Sequence, residues 1–124
     1  GQRYIQVALP INEGQVDYKD VLKAMDTPGR VAKKQLDQDS QTWKIDCNGA
    51  CVDGKKGGTI WFDDATTLAP KYHLAHSNKL LGVGVWQANA LPVPANGSDP
   101  YAKQRMDMWS ALAAWNGNVA AEAS

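Results

Sequence analysis

An unbroken apolar run, "LLGVGVW" at Leu80–Trp86, constrains the fold of this chain more than any other stretch. It shows no alternation of apolar and polar residues, and it ends in a tryptophan that is followed by Gln-Ala-Asn. Strands that read as continuous apolar runs are usually buried on both faces, as in the parallel sheets of α/β proteins. The run therefore predicts a buried parallel strand with neighbours on both edges and helices outside.

Helices and strands alternate around this run. The first half has a helical stripe and a polar turn between two short apolar stretches, which predict one helix and one hairpin. The second half reads strand, helix, strand, helix, with cap and turn residues at the boundaries. The predicted elements are a helix from Val16 to Met25, strands at 31–36 and 42–47, a strand at Thr59–Phe62, a helix at Leu68–Asn78, the strand Leu80–Trp86 and a closing helix at 101–115.

These elements are too few to cover a strand that is buried on both sides. A strand–helix–strand unit crosses over right-handed, and Leu80–Trp86 would still need a second neighbouring strand and outer helices. The 124 residues therefore predict one partial domain of a larger α/β barrel. In that case the apolar side chains of Leu80–Trp86 should be exposed when this chain is considered alone.

Charge and composition narrow the range of partners. The chain has 13 lysines and arginines and 13 aspartates and glutamates, so its formal net charge is zero. Because nucleic-acid and anionic-membrane binders usually carry a basic excess, we expect no nucleic-acid partner. The chain contains no run of about 18 apolar residues, so we predict no membrane span. His73 and His76 lie one turn apart on a predicted helix, but no third ligand is evident, so we expect no metal or other cofactor.

Two local signals point to an oxidising compartment. Cys47 and Cys51 lie four residues apart around an Asn-Gly pair and could close a small disulfide loop. A metal site would need further ligands beside them, so we predict the disulfide. The sequon Asn96-Gly97-Ser98 predicts a glycosylation site at Asn96. Both features favour a secreted or lysosomal protein.

Motifs of the second half resemble the C-terminal part of glycoside hydrolase family 18, the chitinase family. "WFDD" at Trp61–Asp64 is similar to the seventh strand of that family's barrel, and "LLGVGVW" is similar to the eighth. "WQANAL" at Trp86–Leu91 and the later "YAKQRMDMW" are closer to the di-N-acetylchitobiase branch. The similarity covers about Gln15–Trp115. It implies that the chain is the C-terminal segment of a TIM (β/α)8 barrel, with about strands 7 and 8 and their helices.

The resemblance divides the chain into three parts of one partial domain. Residues 1–57 would precede strand 7 as a helix and a hairpin, residues 58–115 would hold strands 7 and 8 with the final helices, and residues 116–124 would form a tail. The N-terminal part of the same barrel would then be a partner of this chain.

The resemblance also implies a sugar site, because TIM-barrel active sites lie at the carboxyl ends of the strands. The last residue of the eighth strand would form the floor of the subsite next to the cleaved bond, where an N-acetylglucosamine ring stacks on the indole. The expected ligands are N-acetylglucosamine oligosaccharides. The candidate substrate-binding residues are Trp86, Gln87, Asn89, Asp63 and Trp61.

Several of these residues also have ordinary structural interpretations. Trp86 could fill a core instead of a sugar site. Asp63 and Asp64 could bind sugar hydroxyls or cap the helix that follows them. Trp61 could lie in a cleft or in the core, and Trp43 is better placed in the core.

The catalytic motif of the family, D-x-x-D-x-D-x-E, is absent from this chain. Only two glutamates occur, Glu13 and Glu122, and neither has the required aspartates before it. The family's glutamate is the general acid, and the substrate's own N-acetyl group is the nucleophile in a retaining reaction. We therefore expect no catalytic residue in this chain and a catalytic glutamate on an upstream segment. The alternative is a non-catalytic chitinase-like lectin or structural protein.

Overall fold

The computed structural model of the chain describes residues 14–55, 57–92 and 98–116. Within these ranges the chain forms a mixed α/β arrangement of one sheet and three α-helices. The helices are α1 (Tyr18–Asp26), α2 (Ala65–Ser77) and α3 (Ala102–Ala111), the strands are β1 (Gln35–Asp37), β2 (Thr42–Asp46) and β3 (Thr59–Phe62), and 3₁₀ turns span Ala88–Ala90 and Leu112–Asn116.

The three strands form an antiparallel sheet in the order β1-β2-β3. Leu36 pairs with Trp43 and Trp43 pairs with Phe62, while Ile45 pairs with Ile60, so these side chains share one face of the sheet. Ile45 is almost completely buried on that face. The predicted hairpin is confirmed, and its first strand is shorter than expected because β1 begins only at Gln35.

Two apolar clusters hold the elements together. One joins α2 to the 3₁₀ turn after α3 and consists of Ala69, Tyr72, Ala111 and Ala114. The other joins α1 to the loop after β2 and consists of Ala24, Cys51 and Val52. Small residues dominate both clusters, with three alanines in the first and an alanine and a cysteine in the second.

The predicted strand at Leu80–Trp86 does not form in this chain. Residues 80–86 belong to no strand, and the strand expected to be their parallel neighbour, β3, pairs antiparallel with β2. Leu81 is 99% exposed and Trp86 is 83% exposed. An extended segment becomes a strand only when a neighbour pairs with its N–H and C=O groups, and the described residues supply none at this place.

The helix predicted at Leu68–Asn78 is present but begins three residues earlier, at Ala65. As a result, Pro70 lies inside α2 instead of in its first turn. The closing helix is confirmed, and its last turn tightens into the 3₁₀ turn that ends at Asn116. The predicted tail beyond Asn116 and the predicted glycosylation site at Asn96 lie outside the described residues.

Candidate functional site

A cavity of about 450 Å³ brings together most of the predicted substrate-binding residues. It is bounded by α1, the end of β3, α2, the segment of residues 84–87 before the first 3₁₀ turn, and α3. Trp61, Asp63, Trp86 and Gln87 line it. Its other walls include Tyr18, Val21, Phe62, Leu68, Tyr72, Leu91, Met108 and Trp109. This cavity is the candidate binding site.

Trp86 lies at the rim of this cavity, at a bend of the chain. The peptide bond between Trp86 and Gln87 is cis. Gln87 precedes the 3₁₀ turn Ala88–Ala90 and accepts a 3.0 Å hydrogen bond from the Ala90 N–H through its carbonyl oxygen. Leu91 then enters the interior and is almost fully buried. The turn thus anchors the chain just after an indole that is mostly exposed.

Asn89 is the one predicted substrate-binding residue that is absent from the cavity wall. It lies in the middle of the 3₁₀ turn with an exposed side chain, while Gln87 and Ala90 on either side line the cavity. Sequence spacing alone did not reveal this difference, because the expected strand end would have left Asn89 on a loop at the rim. The structure thus places Asn89 outside the cavity wall, and its role in binding stays a prediction.

Three indoles line the cavity. Trp61 is about half exposed, and the Lys44 ammonium lies 5.4 Å from the centroid of its ring. Trp109, on α3, is 44% exposed, and sequence reasoning missed it as a site residue. Trp86 is the third of these indoles. Flat aromatic faces of this kind can stack on the apolar faces of ring-shaped ligands.

The two adjacent aspartates have different roles in the structure. Asp64 is the N-cap of α2: its Oδ1 accepts hydrogen bonds from the N–H groups of Thr66 and Thr67, at 2.9 and 3.2 Å. The Thr67 hydroxyl bonds back to the Asp64 N–H at 3.0 Å and completes a capping box. Asp63 takes no part in this cap and lines the cavity. The sequence left open whether these two aspartates cap the helix or line a binding site. In the structure Asp64 caps the helix and Asp63 lines the cavity.

The surroundings of Asp64 favour the charged form of its carboxyl group. Its partial burial would raise the pKa of the carboxyl, but hydrogen bonds from Thr66 and Lys34 outweigh that effect and lower the pKa below its usual value. Lys34 Nζ lies 3.2 Å from Asp64 Oδ2. The Asp64 carboxylate is therefore a negatively charged group at the start of α2, next in sequence to the cavity residue Asp63 but not itself in the cavity wall.

Two tyrosines of the cavity wall keep their protons to high pH. Burial, together with the nearby carboxylates of Asp64 and Asp107, raises the pKa of Tyr18 to about 12. Burial and the Asp63 carboxylate also raise the pKa of Tyr72. Both phenols are therefore neutral hydrogen-bond donors at ordinary pH. Tyr18 was expected only as part of a helical stripe, so its place in the cavity is a finding of the structure.

The predicted disulfide is confirmed. Cys47 and Cys51 are bonded, with their Cα atoms 5.3 Å apart. Cys51 is buried against Ala24 of α1 and Val52, so the bond ties the end of β2 to the loop that packs under α1. A disulfide is compatible with secretion.

The described residues contain no group of three or more histidine, cysteine, aspartate or glutamate side chains that could hold a metal ion. The His73 and His76 rings lie 6.4 Å apart on α2, and the second of them also contacts Trp115 edge-on. In the same part of the chain, every helix is too short or too polar to cross a bilayer.

The chain matches no model of a known protein family, no curated protein and no solved structure. The interpretation of the cavity therefore depends on its geometry and on the motif resemblance. The cavity can offer a neutral ligand aromatic faces, one carboxylate, one carboxamide and two phenols.

Proposed function

We propose that this chain forms part of a chitobiase-like glycosidase that cleaves N-acetylglucosamine-containing oligosaccharides. The observation that carries the proposal is the position of Trp86, a large indole that is 83% exposed at the rim of the cavity. Large aromatic side chains usually bury most of their surface in a folded chain. An indole left open beside a cavity is a suitable platform for a pyranose ring.

The polar groups of the cavity suit a neutral sugar. Asp63 and the side chain of Gln87 can accept hydrogen bonds from hydroxyl or amide groups, and the Tyr72 phenol can donate one. Ligand sites are typically apolar walls with a few convergent polar groups, and this cavity has that composition. Pyranose rings present the same combination of apolar faces and polar edges.

The proposed reaction is retaining and substrate-assisted, with the substrate's N-acetyl group as the nucleophile. The catalytic glutamate would come from a segment other than the described residues, whose share of the cavity wall contains no glutamate. The N-terminal part of the same TIM barrel would bring it. The exposed apolar side chains between Leu80 and Trp86 support such a partner, because exposed apolar patches commonly mark a covered surface. The disulfide supports a secreted or lysosomal location.

The experiment is a comparison of Trp86→Ala, Trp86→Phe and Met106→Ala in the complete polypeptide that carries this sequence. Hydrolysis of N-acetylglucosamine oligosaccharides and thermal unfolding are measured on each protein. Met106 is the control because it is a large, exposed apolar residue of α3 that is absent from the cavity wall. Trp86→Ala should lower kcat/KM by about tenfold or more, Trp86→Phe should restore part of the loss, and Met106→Ala should change little.

Full activity in Trp86→Ala, or a loss explained by unfolding alone, would contradict the proposal. The second candidate is a non-catalytic chitinase-like lectin, which is favoured by the lack of a glutamate in the described cavity wall. In that case the complete protein would bind the same oligosaccharides without cleaving them, and Trp86→Ala would weaken binding.

A further inference from the structure

An ion pair holds the carboxylate of the cavity wall. Lys71 Nζ lies 2.6 Å from Asp63 Oδ1 and also donates to Thr42 Oγ1 at 3.1 Å. Lys71 lies on α2, Thr42 begins β2, and Asp63 follows the end of β3. Three separate elements thus meet at one ammonium group. The sequence alone assigned no role to Lys71.

The geometry gives the two oxygens of Asp63 different surroundings. Oδ1 is bonded to Lys71, whereas Oδ2 makes no hydrogen bond within the described ranges. Asp63 is also not needed at the helix start, because Asp64 provides the cap. The carboxylate therefore has one anchored oxygen and one oxygen that can accept from a ligand.

The ion pair changes what the carboxylate can bind. Lys71 balances the charge of Asp63, so a ligand does not have to bring a cation. An aspartate without such an anchor would have to be ordered when the ligand binds, and that ordering weakens affinity. A side chain fixed beforehand avoids most of this cost.

We propose that Lys71 is a positioning residue that fixes Asp63 so that its Oδ2 accepts a hydrogen bond from a hydroxyl or amide N–H of an N-acetylglucosamine unit in the cavity. This inference rests on the proposed function and adds a residue and a hydrogen-bonding role to it. Thr42 takes part by accepting a second hydrogen bond from the ammonium.

The test is a double-mutant cycle in the complete polypeptide. Asp63→Ala, Lys71→Met and the double variant are compared for binding of N,N′-diacetylchitobiose and chitotriose by calorimetry, with melting measured in parallel. Methionine retains the apolar stem of the lysine and removes only its charge. Asp63→Ala should weaken binding about tenfold or more, because hydrogen bonds to charged groups are the stronger ones. Lys71→Met should weaken it several-fold, and the double variant should match Asp63→Ala.

Two further variants sharpen the comparison. Thr42→Val removes the second anchor without touching Lys71 and should cause a smaller loss that vanishes in the Asp63→Ala background. Lys103→Met is the matched control, because Lys103 forms an ion pair of the same 2.6 Å length with Asp107 on the exposed side of α3. It should leave sugar binding unchanged.

The outcomes are separable. If Lys71→Met weakened binding equally with and without Asp63, its effect would be structural and the inference would be overturned. Unchanged binding in Lys71→Met would overturn the inference alone and leave the proposed function standing. If the unsubstituted protein bound neither sugar, the proposed function would fail and the inference would fail with it.

Discussion

Replacing Asp64 by alanine should destabilise the fold more than replacing its neighbour Asp63. The cap hydrogen bonds from Thr66 and Thr67 are 2.9 and 3.2 Å long, and loss of an N-cap costs about 1 kcal/mol and up to about 2. The 3.2 Å ion pair with Lys34 is partly exposed and adds less than about 1 kcal/mol. Asp64→Ala should therefore lower the free energy of unfolding by about 1–3 kcal/mol.

Asp63→Ala is the matched control, since it removes only a partly exposed ion pair with Lys71 and should cost less than about 1 kcal/mol. The assay is urea unfolding followed by circular dichroism on both variants and on Asp64→Asn, which keeps the acceptor oxygen of the cap. If Asp63→Ala cost as much as Asp64→Ala, the assignment of the cap would be refuted.

The same variants carry a pH dependence with a defined sign. Because hydrogen bonds lower the pKa of folded Asp64, its charge contributes stability above the unfolded pKa of about 4, and this contribution is lost as the pH falls through the lower folded pKa. The stability difference between the unsubstituted protein and Asp64→Asn should therefore shrink below about pH 4. A difference that stayed constant through that range would contradict the charge-based part of the argument.

Two more predictions concern Tyr18 and Leu81. Because the pKa of folded Tyr18 is raised to about 12, the neutral phenol contributes stability below the unfolded pKa of about 10, and this contribution is lost as the pH rises through the folded pKa. Tyr18→Phe should therefore remove an ultraviolet tyrosinate transition near pH 12. A spectrum that kept this transition would contradict the assignment. Leu81 is 99% exposed here, but the proposed barrel partner would cover it, so Leu81→Ser should destabilise the complete polypeptide by about 1.5–3 kcal/mol; unchanged urea unfolding would argue against that partner.

Sequence predicted the features that depend on near neighbours. The hairpin follows from a polar turn between two apolar stretches. The sequence also predicts a helix after Asp64, although it begins at Ala65 and not at Leu68 as expected. The disulfide follows from the short spacing of Cys47 and Cys51. Each of these signals is complete within about ten residues, so no distant part of the chain was needed.

Features that depend on distant partners were not predictable in the same way. The apolar composition of Leu80–Trp86 shows that the segment suits burial, but it does not show which strand would pair with it. Trp109 lies on the predicted closing helix, and only the packing of α3 in the structure places it in the cavity wall. The ion pair between Lys71 and Asp63 likewise joins residues whose helix and strand must first be packed together.

The sequence "WFDD" shows how closely binding and folding roles can be placed in one short segment. Trp61, near the end of β3, and Asp63, just after it, both line the cavity, and so does Phe62 between them. Asp64 comes one residue later, where the backbone is still extended but its carbonyl already begins α2. A shift of the helix start by one residue would place Asp63 at the cap and remove it from the cavity. The capping box between Asp64 and Thr67 therefore fixes more than the helix, because it also determines which of the two carboxylates lines the cavity.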